Sequence, residues 1–62
     1  CPVPAVVGVN DPLSAAAMYM NVFDLSSVPV IDEKKQLVGL VTDRDVVEAA
    51  IPLLQEVERM AA

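Results

Sequence analysis

The chain has 62 residues, with Lys+Arg 4 against Asp+Glu 9 for a net charge of −5; apolar residues make up 55% but aromatics only 3%. A chain this short is one domain, and at this size folding hides only about 60% of the unfolded surface, so stability is marginal. One cysteine and no histidine exclude an internal disulfide and the usual zinc clusters, and the acidic balance argues against a nucleic-acid groove.

Cys1-Pro2-Val3-Pro4 reads as an extended lead-in, because alternating prolines fix φ and remove donors. Cys1 in place of an initiator Met reads as a processed product or a fragment of a longer chain, and no activating base for an N-terminal thiol nucleophile is evident. Ala5 to Val9 is a β-branched run that predicts a first strand, with Gly8 either weakening it or admitting a close neighbour. Asn10-Asp11-Pro12 predicts a helix start in which Asp11 caps and Pro12 takes the first helical position. Leu13, Ala16, Ala17 and Met20 then fall on one helical face, flanked by Ala15 and Tyr19, and Asp24 is placed to end the helix in a left-handed conformation.

Ser27 to Ile31 predicts a second strand, with Pro29 indicating an edge position or a ligand-facing interruption. The charged run Asp32 to Gln36 reads as a solvated turn. Leu37 to Thr42 is apolar almost throughout, the pattern of a strand covered on both faces, and the short connection makes strands two and three an antiparallel hairpin. Thr42-Asp43-Arg44-Asp45 opens a second helix with an apolar stripe of Val46, Val47, Ala50 and Ile51. Pro52 is expected to break or restart it, and Leu53, Leu54, Val57 and Met60 continue the spacing as an amphipathic tail over 52–62. The expected order is β-α-β-β-α, an α/β (α+β) fold with a small three-stranded sheet, parallel strands one and two joined by a right-handed crossover, and the helices on one face. Residues 1–62 form the single domain, with its core at about 6–51.

These features, in this order, resemble a single CBS domain, the module named after cystathionine β-synthase. Ala17 and Met20 match its first helix, Val28-Pro29-Val30-Ile31-Asp32 its second strand, and Leu37 to Asp45 its Leu-Val-Gly-Ile-Val-Thr-x-x-Asp segment. The resemblance covers about Val6 to Ala50. It implies a regulatory module rather than an enzyme. CBS domains pack in pairs through their sheets into a Bateman module, whose clefts bind adenosine-containing ligands such as AMP, ADP, ATP or S-adenosylmethionine. A single motif implies that a second CBS domain, from a homodimer or a tandem copy, completes the pair. The family often has Thr or Ser at Gly8, and Gly at Asp24 and Lys35, so the last two positions are expected to hold left-handed backbone.

Thr42 and Asp45 are the foremost ligand-binding candidates by this resemblance. The Thr42 hydroxyl and the N–H groups of a helix start suit a phosphate, and Asp45 suits ribose hydroxyls. The same spacing is also a capping box, in which the two side chains serve only the helix. Ser27 and Pro29, with Ser26, lie where the family receives the base, although the serines equally suit a helix–strand turn. Val7 and Gly8 either admit an adenine ring or pack closely. Arg44 offers charge to a phosphate or pairs with Glu48 at i+4. Asp43, Asp45 and Glu48 read as an acidic first turn suited to the helix dipole rather than a Mg²⁺ site. Met18, Met20 and Met60 read as core or interface filler. No nucleophile–base pair stands out, no cofactor is required, and no apolar run is long enough to span a membrane. The expectation is a cytoplasmic, non-catalytic regulator.

Overall fold

The computed structural model describes residues 5–61, so the prolyl lead-in and Cys1 lie outside the described residues. The chain runs β1 (Val7–Gly8), α1 (Leu13–Phe23), β2 (Ser27–Ile31), β3 (Leu37–Thr42) and α2 (Asp43–Ala61). The three strands form one sheet in the order β1-β2-β3. β1 pairs in parallel with β2, placing Val7 opposite Val30 and Gly8 opposite Ile31. β2 and β3 are antiparallel from Ser27 opposite Thr42 to Ile31 opposite Leu37, with an irregularity between Val30 and Ile31.

Alternation along the strands decides which side chains meet the helices. Val28 and Val30 share a face, Val41 lies opposite Val28, and Val7 lies opposite Val30. Val7, Val28, Ala16 and Met20 form the buried core, with Ala15, Tyr19, Leu25, Val30, Val41 and Val46 packed around it. Small and β-branched side chains bring α1 close to the sheet, giving the thin core expected of a chain with few rings.

Asp24 ends α1 at φ 55°, ψ 50°, and its N–H donates to the Met20 carbonyl, as the sequence led us to expect. Lys35 is likewise left-handed, at φ 66°. It sits in the β2–β3 turn, where Asp32 Oδ1 accepts from the N–H groups of Lys34 at 2.8 Å and Gln36 at 2.9 Å. This side-chain closure of the turn is available to Asp but not to a longer acid.

Four local expectations are corrected. Strand β1 is two residues long, because the chain turns at Gly8, whose carbonyl accepts from the Asp11 N–H at 3.0 Å. Pro12, in extended backbone, is the cap residue of α1, and Asp11 does not cap the helix; its carboxylate is taken by the Gly8 N–H. Pro29 lies on the central strand and not at an edge. It is tolerated there because β1 pairs only with Val30 and Ile31, leaving that side open at Pro29. Finally, α2 runs unbroken through Pro52. The proline removes the hydrogen bond to the Glu48 carbonyl, and good helix formers on both sides carry the helix across the gap.

Strand β3 also departs from its pattern. Leu37, Val38 and Leu40 are all more than half exposed. The helices cover one face of the sheet, and β3 is its edge, so the other face of this apolar strand is open within the single chain.

Candidate functional site

The junction of β3 and α2 is closed by side-chain hydrogen bonds in both directions. The Thr42 N–H donates to Asp45 Oδ2 at 2.8 Å, and the Asp45 N–H donates to Thr42 Oγ1 at 3.2 Å. This is a reciprocal capping box, in which each side chain satisfies a backbone donor that the first helical turn leaves without a partner. The Asp43 N–H donates to the Ser26 carbonyl at 3.0 Å, which ties the helix start to the loop before β2. Thr42 N–H and hydroxyl hold the Asp45 carboxyl below its ordinary value, and the Arg44 charge adds to this. Asp45 is therefore a carboxylate at neutral pH.

Ser27 stands directly opposite Thr42 across the hairpin, and Pro29 opposite Leu40. Alternation places Ser27, Pro29, Leu40 and Thr42 on the sheet face that the helices leave open. The fold thus brings Ser27, Thr42 and Asp45 together at one end of β2, with Pro29 next along it. Arg44 is fully on the surface, where its Nε donates to Glu48 Oε1 at 3.0 Å in an exposed i,i+4 ion pair. Such pairs contribute little to stability.

Val7 and Gly8 lie elsewhere. They pair with the far end of β2, and four residue steps along the strand, about 13 Å, take Ser27 to Ile31. The Val7 side chain is buried in the core. Gly8 lies beside a groove of about 200 Å³ at the start of α1, lined in part by Asp11, Leu13 and Val41. Close packing does not explain the glycine, since a Cβ there would meet Asp11 Oδ2 at 3.5 Å, an ordinary contact.

Asp11 is the residue that sequence reasoning missed. Its carboxylate accepts from the Gly8 N–H at 2.7 Å and walls the Gly8 groove. The Gly-Val-Asn-Asp spacing was the available signal, because an acid three residues after a glycine can close back on its N–H. Among the described residues no cluster of three metal-ligating side chains occurs, and no helix is long and apolar enough to cross a membrane.

A three-stranded mixed sheet with both helices on one face, and a capped helix start beside the open face, defines a small α+β domain. The model of the CBS domain family matches residues 2–52, and the chain belongs to that family. It is 42% identical over 41 residues to hypoxic response protein 1 of Mycobacterium tuberculosis, covering 66% of this chain and 29% of that protein. It is 42% identical over 45 residues to a 17.7 kDa protein of Acidianus ambivalens, covering 73% of this chain and 27% of the relative. A CBS domain-containing protein of Dictyostelium discoideum is 33% identical over 54 residues, 87% of this chain and 37% of its own length. The chain therefore spans roughly a third of the length of the curated relatives it matches. No solved structure gives a significant match. Proteins of this family are typically regulatory rather than catalytic.

Proposed function

We propose that the chain is a ligand-sensing regulatory domain of the cytoplasm, without catalytic activity, that pairs with a second CBS domain and binds an adenosine-containing ligand of the AMP, ADP, ATP or S-adenosylmethionine type. The observation that carries this reading is the Thr42–Asp45 junction. It sets an ionised carboxylate, a hydroxyl and a helix N-terminus side by side at the border of an uncovered apolar sheet face. Phosphate suits the helix start and ribose hydroxyls suit the carboxylate. Leu40 and Val38 on the open face supply the apolar surface through which a second sheet would pack, leaving the polar junction at the rim. A ligand in that rim regulates only if it binds two arrangements of the pair with different affinity.

A second reading has its own support. Thr42 and Asp45 already satisfy each other, so the junction is complete as a helix cap, and the domain then serves as a ligand-free dimerisation or scaffolding module. Thermal unfolding with AMP, ADP, ATP, S-adenosylmethionine and NAD separates the two, because a ligand that binds the folded state raises its apparent stability. One or more nucleotides should raise the midpoint of the wild type, and Asp45→Asn should abolish the rise. A flat response across the whole panel leaves the scaffolding reading. A rise that survives in Asp45→Asn moves the site elsewhere on the molecule.

A further inference from the structure

The backbone N–H groups that open α2 are those of Thr42, Asp43, Arg44 and Asp45, and a helix start takes a phosphate through such groups when they are free. Each of them is engaged from within the chain. The Thr42 N–H donates to Asp45 Oδ2, and the Asp45 N–H donates to Thr42 Oγ1. The Asp43 N–H is held by the Ser26 carbonyl at 3.0 Å, and the Arg44 N–H donates to Asp43 Oδ1 at 2.8 Å. Asp43 and Asp45 each supply a carboxylate oxygen to this set. The anion that a helix start attracts is therefore already present, and it belongs to the chain itself.

The charges around the junction have the same sign. Asp43 and Asp45 are exposed, and Glu48 follows within the next turn. Against these acids stands Arg44, whose Nε is turned to Glu48 Oε1 at 3.0 Å. The remaining cationic side chains lie far off. Lys34 and Lys35 sit in the turn before β3, separated from Thr42 by the length of that strand, about 17 Å. Arg59 is paired with Glu56, about 24 Å along α2 from Asp43. What the junction still offers suits hydrogen-bond donors. Asp45 Oδ1 and Asp43 Oδ2 accept from no group among the described residues. The Thr42 hydroxyl accepts from Asp45 and keeps its own proton for one neutral acceptor.

Building on the adenosine reading above, we infer that the junction selects adenosine compounds that carry no net negative charge. The favoured class is the free nucleoside and the adenosine bearing a cationic group, of which S-adenosylmethionine is the type. Ribose hydroxyls or an ammonium group donate to the free carboxylate oxygens. A 5′-phosphate finds no open N–H and meets the Asp43 and Asp45 charges, and the repulsion grows as the phosphate chain lengthens. The hydrogen bonds that hold the helix start are thus the same ones that shut a phosphate out of it.

The test is isothermal titration calorimetry of the chain with adenosine, S-adenosylmethionine, AMP and ATP, at low and at high salt. At low salt adenosine and S-adenosylmethionine should bind on the order of tenfold tighter than ATP, with AMP between them. Salt should strengthen ATP binding and weaken that of S-adenosylmethionine, because screening reduces repulsion and attraction alike. Asp43→Ala frees the Arg44 N–H and removes one charge, while the Thr42–Asp45 box stays in place. It should tighten AMP and ATP several-fold and leave adenosine unchanged, with circular dichroism as the check on folding. If that variant unfolds, the salt dependence of the wild type decides alone. AMP or ATP bound as tightly as adenosine, or ATP binding that weakens with salt, overturns the selection and leaves the adenosine reading standing. An unchanged ATP affinity in a folded Asp43→Ala chain overturns it as well. No binding by any of the four compounds overturns the adenosine reading, and this inference with it.

Discussion

The two halves of α2 share one apolar spacing and meet opposite surroundings. From Asp43 to Ala50 the helix leans on the sheet and on α1, and its inward side chains are half-buried. From Ile51 to Ala61 every side chain is exposed. The periodicity that predicts a helix is the same in both halves, so it says which side of the helix wants cover without saying what covers it. In the first half the cover is the chain's own core. In the second, the described residues supply none.

The largest effect should come from the packed half of the molecule. Val28 is fully buried in the central strand, and Val28→Ala removes two methyl groups and leaves a cavity. In a domain this small a loss of about 2 kcal/mol, read by urea denaturation, should bring the midpoint close to zero denaturant. A loss comparable to that of a surface substitution would mean that the core is not where stability resides.

Next in size is the hinge between sheet and helix. Thr42→Ala deletes the cap oxygen and should cost about 1 kcal/mol by the same measurement. The capping box also has a pH signature. The Asp45 carboxyl is held below its ordinary value in the folded state, so its stabilisation is complete above the unfolded carboxyl's titration range and is lost as pH falls through the lower folded value. Asp45→Asn should therefore flatten the acid limb of the stability profile. An unchanged limb would mean that other carboxylates govern it.

Lys35→Gly should stabilise by about 0.5 kcal/mol, because the left-handed backbone there suits glycine better than a residue with a Cβ. The smallest effect belongs to the overhang. In chains diluted until monomeric, Leu54→Ala should change stability by less than about 0.5 kcal/mol, since the side chain touches no core residue. A large loss in the monomer would mean that the tail folds back onto its own domain, and would erase the contrast between the two halves.

Much of the fold was legible in the residues. The left-handed end of α1 at Asp24, the hairpin of β2 and β3, and the Ala16–Met20 face of α1 follow from local chemistry and periodicity, and the left-handed backbone at Lys35 follows from the family resemblance. What was not legible depended on competition between neighbours. Asp11 had two backbone targets within reach, the helix start and the Gly8 N–H, and only the turn geometry decides between them. Pro29 reads as an edge residue because its effect is judged by the strand alone, while its tolerance depends on how short β1 is. The apolar run of β3 was expected to be covered on both faces, and a single chain supplies cover for one. For the candidate site, Thr42 and Asp45 were legible as partners by spacing. The separation of Val7 and Gly8 from them was not, because it is set by the register of β1 on β2.

Pro52 stands almost at the division between the two halves of α2. Without its N–H, the ladder of helical hydrogen bonds has a missing rung reaching back to Glu48. Opening that starts at the C-terminal end of the helix therefore meets a natural stopping place there. Amide hydrogen exchange should fall into two classes along one continuous helix, with fast exchange after Pro52 and slow exchange before it, and the boundary should move toward Ala61 only when another molecule lies on the tail.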